Sequence, residues 1–229
     1  MKKHLKGKEW NELLSLGISK NKIRVIGHLG IEDKINSVKK IDANKKKEIK
    51  NYININSEYK IILLTLELFS ENFDEKLEFG VVLKVLEALE FIEHNNIEFI
   101  VKLHPSQSRK DFCHFLDKYD LMKRVIVCPD TITDYEVVSV SDIVIGLNSV
   151  ILMIPLILGI HTISLDFNMI NDPKRKNTIP YLRKYLVNNS IELSEVISKN
   201  LSQNNGDKIP FQTGSVKKAW RGIKELLYD

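Results

Sequence analysis

Lys102-Leu103-His104-Pro105 and, further along, Ser141-Asp142-Ile143-Val144-Ile145-Gly146-Leu147-Asn148-Ser149-Val150 decide how this chain is read. In each stretch an apolar run of the kind that fills a buried strand gives way to small or polar groups just before a helix is due. In an open α/β sheet, ligands sit at the carboxyl ends of parallel strands. A helix starting at Ser149 would aim free backbone N–H groups and the positive end of its dipole at that place, which makes an anion site. Two strand ends therefore converge on one phosphate-sized position.

The surrounding pattern supplies the sheet. Apolar runs predict strands at 60–66, 97–103, 124–128, 143–145 and 161–165, with a shorter one at 23–26. Three-to-four spacing predicts helices at 75–94, 108–119, 134–140 and 149–158, with later ones near 192–202 and 216–227. Strands alternating with helices at this spacing mean βαβ units and a parallel sheet. The expected fold is α/β: a Rossmann-like parallel sheet with helices on both faces over residues 58–229. Residues 1–57 form a basic N-terminal extension, Lys/Asn-rich from 31 onward and suited to a linker with one loose helix.

Composition narrows the classes. The 229 residues are 43% hydrophobic and 28% charged, as in ordinary soluble domains. The net charge of +4 is unevenly placed: residues 1–50 carry +8, which leaves residues 51–229 at −4. A basic leader of this kind suits either a solvated linker or a phosphate-bearing or membrane surface. Cys113 and Cys128 have no metal-knuckle or redox spacing, and with no signal peptide they fit the reducing cytosol. Residues 143–165 lack charge over a length that could span a bilayer. However, Gly146, Asn148, Ser149, Pro155, Gly159 and His161 divide them into strand, turn, helix and strand. No Walker A or Gly-x-Gly-x-x-Gly sequence is present, and no Gly-x-Ser-x-Gly elbow surrounds Ser149. Glu87, Glu90 and Glu93 form a solvated helix face, and His161 reads as a structural histidine.

With these motifs in hand, the chain resembles the C-terminal half of a GT-B glycosyltransferase. Residues 17–28, Gly-Ile-Ser-Lys-Asn-Lys-Ile-Arg-Val-Ile-Gly-His, resemble the segment where the N-terminal half crosses over. Lys102-Leu103-His104-Pro105 resembles the His-Pro motif of bacterial sialyl- and polysialyltransferases, capsule-type transferases and CDP-glycerol polymerases. Asn148-Ser149 stands where those families place a Ser-Ser or Ser-Thr pair, so the first hydroxyl of the pair is replaced here.

The resemblance implies a donor site for a CMP-, CDP- or UDP-linked sugar or polyol phosphate, in surface-polysaccharide (capsule-type) synthesis. His104, followed by Pro105, would donate to a phosphate oxygen. Ser149, with the backbone N–H of Val150 and with Asn148 beside it, would bind the other side. Thr65 and Glu67 end the first strand where a turn approaches the donor. Asp134 and Tyr135 are placed to line the base or ribose pocket, and Lys102 is a candidate for neutralising charge. The absence of an Asp-x-Asp motif implies a metal-independent enzyme, and neither metal nor cofactor is expected. A chain of this length leaves no room for the half that carries the catalytic base. The resemblance therefore implies a nucleotide-binding half that works with a separate N-terminal-half polypeptide or membrane-associated assembly machinery, cytoplasmic or at the inner membrane face, or else a truncated product.

Two further readings belong to other classes. Gly27-His28-Leu29-Gly30 in Lys-rich surroundings is similar to a KH-type GXXG loop that clamps an RNA backbone. Against it, the next predicted strand opens the α/β series, so nucleic acid is the less expected partner. An inert interaction module would instead show a packed fold with an empty strand-end crevice.

Overall fold

The computed structural model describes residues 13–20, 29–67, 79–93, 96–147, 149–166, 180–209, 211, 214, 217–221 and 223. Its contacts divide the chain into two compact units, Ile35–Ile209 and a smaller one made of Met1–Lys34 with Pro210–Asp229. In the smaller unit, Glu32 accepts a hydrogen bond from the backbone N–H of Gly214 at 2.6 Å.

The larger unit is built on one six-stranded sheet, every pairing of which is parallel. Its strands are β1 (Lys60–Thr65), β2 (Ile97–Lys102), β3 (Ile126–Val127), β4 (Ile143–Gly146), β5 (His161–Leu165) and β6 (Leu186–Val187). They lie in the order 3-2-1-4-5-6. Helices among the described residues include α1 (Leu29–Lys39), α2 (Ala43–Tyr52), α3 (Gly80–Glu90), α4 (Arg109–Lys118), α5 (Asp134–Val140), α6 (Met153–Leu158) and α7 (Ser190–Leu201).

Alternation along the strands sorts the core into two layers. Ile62, Leu64, Phe99, Val101, Ile143, Ile145, Ile163 and Leu165 face one way, into a cluster with α3, α4 and α7. There Phe79 meets Phe112 edge-on at 5.0 Å. The intervening Ile61, Leu63, Ile100 and Val144 are equally buried on the opposite face, where α5 packs on β1 and α2 packs on α5. Both faces are therefore covered, and this is why the central strands read as unbroken apolar runs. At the amino end Asp142 clamps β1 to β4. It accepts from the Ile61 N–H at 2.9 Å and from the Lys60 ammonium at 3.0 Å.

The structure departs from expectation in four places. The third strand shrinks to two residues, because 121–124 is taken up by a turn closed by Arg124 N–H to the Leu121 carbonyl. A sixth strand, β6, was not anticipated: it pairs with only Ser164 and Leu165, too short for any periodicity to register. Residues 31–57 hold two helices where one was expected. The helix after Ser149 opens as a 3-10 turn, Val150–Leu152, before α6 begins. Pro155 then falls in the first α turn, where no backbone donor is required of it.

The uncharged run 143–165 divides into strand, turn, helix and strand as expected, and no helix among the described residues is long and apolar enough to cross a membrane. The short strand at 23–26 and the Gly27-His28 half of Gly27-His28-Leu29-Gly30 lie outside the described residues. Gly30 itself sits in the first turn of α1.

Candidate functional site

The strand order places a topological switch between β1 and β4, since the chain runs β1-β2-β3 toward one edge and β4-β5-β6 toward the other. In such sheets the ligand crevice opens at the carboxyl end of that switch. Thr65, the last residue of β1, is in register with Gly146 of β4 on one side and Lys102 of β2 on the other. His104 leaves β2 and Ser149 leaves β4, so the two motifs flank the exit of β1. Two strand spacings separate them, roughly 10 Å. The end of β1 thus lies between them, with Glu67 just beyond it.

Lys102, Thr65, Gly146 and Ser164 form one row across four strands, on the face packed by α5. All three polar members are buried, and each holds neighbouring backbone. The Lys102 ammonium donates to the carbonyls of Ile132 at 2.7 Å and Pro129 at 3.3 Å. Thr65 Oγ1 donates to the Ile145 carbonyl at 3.3 Å, and Ser164 Oγ to that of Leu147. Gly146 is required by this crowding: a Cβ there would lie 2.7 Å from Thr65 Oγ1 and 3.2 Å from Leu152. Lys102 was expected to neutralise a ligand's charge. Its geometry instead ties down the 129–132 loop, together with Arg109, which donates to the carbonyls of Cys128 at 2.8 Å and Val127 at 3.2 Å.

That loop feeds α5, whose first residues, Asp134 and Tyr135, are half-buried. Thr133 and Glu136 make a reciprocal capping box. Burial alone would raise the Glu136 carboxyl. Hydrogen bonds from the Thr133 N–H and hydroxyl, helped by the charges of Lys45 and Lys102, hold it below the usual carboxylate range. Burial pushes the thiol of Cys128, just before that loop, up to about 11.

His104 is half-buried, with Pro105 exposed beside it. Its Nδ1 accepts from the Ser106 backbone N–H at 3.2 Å. An accepting Nδ1 puts the ring proton on Nε2, so the neutral imidazole offers one N–H donor. Ser149 has extended backbone and accepts from the Ile151 N–H at 3.4 Å, capping the 3-10 turn, with Val150 exposed next to it. Asn148 lies outside the described residues, as do 68–78 after β1 and 167–179 after β5.

One residue that sequence reasoning missed joins these parts. Gln107 Oε1 accepts from the His104 N–H at 2.7 Å, and its Nε2 donates to the Glu67 carbonyl at 3.2 Å. A side chain returning to the backbone N–H three residues earlier has the spacing of a capping box, and that signal was available in His104-Pro105-Ser106-Gln107.

Two cavities among the described residues are lined by neither His104 nor Ser149. One of about 430 Å³ lies against His161, Lys184, Tyr185 and Asp207, and one of about 270 Å³ against Leu86, Ile97, Glu98 and Arg124.

No family model matches this chain, and no curated protein matches it. Solved structures do. A UDP-GlcNAc 2-epimerase of Methanocaldococcus jannaschii, in complex with UDP-GlcNAc and UDP, superposes with a TM-score of 0.66 at 21% identity, over 96% of this chain and 58% of that one. The UDP-GlcNAc 2-epimerase of Neisseria meningitidis bound to UDP-GlcNAc gives 0.65 at 19%, over 96% and 59%. The wall teichoic acid polymerase TagF, as its H444N variant with CDPG, gives 0.53 at 13%, over 97% and 57%. At these identities the likeness establishes the fold: a parallel α/β sheet of the GT-B kind. This chain spans less than two thirds of the length of those proteins.

Proposed function

We propose that this chain binds the diphosphate of a nucleotide-activated sugar or polyol phosphate at the carboxyl ends of β1, β2 and β4, as the donor-binding part of a glycosyltransferase in bacterial surface-polysaccharide synthesis. The observation that carries the reading is that His104 and the capped turn at Ser149 leave the two strands on either side of β1. Residues 58–229 serve as the donor-binding domain, with residues 1–57 as the crossover segment.

In a complete enzyme the acceptor displaces the nucleotide at the activated carbon, and negative charge grows on the departing phosphates. A fixed N–H donor on one side and the Ser149 hydroxyl with the Val150 backbone N–H on the other stabilise that charge where it develops. Asp134 and Tyr135 face the base or ribose, on the strength of their place beside the 129–132 loop.

A thermal-shift panel of UDP, UMP, CDP and CMP tests this. UDP stands first because the similar epimerase structure from Methanocaldococcus jannaschii was solved with UDP-GlcNAc and UDP. A ligand at about a hundred times its Kd adds ~2.7 kcal/mol of stability, a rise of several degrees for a domain of this size. The nucleotide that acts should lose its effect in His104→Ala. A panel with no shift, or an equal shift in wild type and variant, contradicts the assignment.

A further inference from the structure

The His104-Pro105-Ser106-Gln107 turn is closed twice by its last residue. The Gln107 N–H donates to the His104 carbonyl at 2.8 Å, while the Gln107 side-chain oxygen accepts from the His104 N–H at 2.7 Å. One residue thus engages both backbone groups of His104. Inside the same turn the Ser106 N–H fixes the ring through Nδ1. The other end of the Gln107 amide reaches across to β1. The last backbone rung between these strand ends is Leu66 N–H to the Lys102 carbonyl at 2.9 Å. Beyond it, Gln107 Nε2 to the Glu67 carbonyl supplies the next rung from a side chain.

We infer that Gln107 is the positioning residue of the donor site: it holds the imidazole of His104 in its Nε2–H form and locks the β2 exit to the β1 exit, so that phosphate meets a preorganised donor. This rests on the donor-site reading above. A neutral amide is needed because the position must accept and donate at once. Glutamate at neutral pH can only accept, and methionine, of similar length, does neither.

The test uses the full chain with Gln107→Met and Gln107→Glu, alone and in the His104→Ala background. The first readout needs no ligand: the ¹⁵N shifts of the His104 ring at a pH where the imidazole is neutral. Wild type should show the Nε2–H tautomer, Gln107→Met a mixture of tautomers, and Gln107→Glu the wild-type form. The second is calorimetric affinity for UDP and CDP. Losing the bridge should weaken binding about tenfold in Gln107→Met and several-fold in Gln107→Glu. No further loss should appear when Gln107→Met is added to His104→Ala, because one residue acts through the other.

An unchanged tautomer in Gln107→Met overturns the inference. So does a Gln107→Met loss that adds in full to that of His104→Ala, or an unweakened Gln107→Glu. If wild type binds no nucleotide, the donor reading fails, and the ring tautomer still decides what Gln107 does. If Gln107→Met loses cooperative unfolding, Gln107→Glu carries the affinity test.

Discussion

Thr65 and Gly146 sit where two strands leave the sheet, and their fit depends on glycine having no side chain. A Cβ at Gly146 would stand 2.7 Å from Thr65 Oγ1, well inside contact distance. Gly146→Ala should therefore destabilise the protein by about 1–3 kcal/mol, the usual penalty for overpacking a filled site. Adding Thr65→Ala removes the clashing hydroxyl and should restore part of the loss in urea unfolding; a double variant no better than the single would place the strain elsewhere. The cysteines differ by environment. Cys128 is buried, with its thiol pushed up to about 11 by burial, whereas Cys113 is partly exposed. Native alkylation at neutral pH should modify Cys113 well before Cys128, a result that peptide mass spectrometry reads directly. Faster labelling of Cys128 would mean that the 129–132 loop opens.

At the scale of elements, the capping box is where pH enters. Glu136 is held below its ordinary value in the folded chain. Its contribution is therefore present above the unfolded carboxylate value and disappears as pH falls through the lower folded one. Wild type should lose stability below about pH 4.5, while Glu136→Gln should lose less over the same window in a pH series of denaturation midpoints. Removing the cap hydroxyl with Thr133→Ala should cost about 1 kcal/mol. How legible an element was in the sequence follows from how it is buried. β1, β2, β4 and β5 were placed to within a residue because covering on both faces leaves continuous apolar runs. β6, at two residues, leaves no pattern to read, and the shortening of β3 depends on the turn at 121–124, a tertiary outcome. The positions of His104 and Ser149 just beyond β2 and β4 were legible because a strand end is a local feature of the sequence. The true partners of Lys102 and the bridge made by Gln107 were not, because both reach across chain segments that only the fold brings together.

For the whole molecule, fold order and charge are two separate signals. The 3-2-1-4-5-6 order directs ligand to the carboxyl edge of the sheet. The surplus of basic residues lies in positions 1–50, at +8 against −4 for the remainder. If that leader meets an anionic bilayer, the chain should sediment with vesicles containing phosphatidylserine at low salt and be released as salt rises past physiological strength. Recovery in the supernatant at every salt concentration would assign the lysines to solvent instead.

The central claim, that the nucleotide binds at the carboxyl edge, is tested most directly by mapping amide shift changes on titration with UDP or CDP. The account predicts that changes concentrate at Thr65, Glu67, His104, Gln107, Gly146, Ser149 and Val150. Changes centred instead on His161, Lys184, Tyr185 and Asp207, around the 430 Å³ cavity, would contradict it.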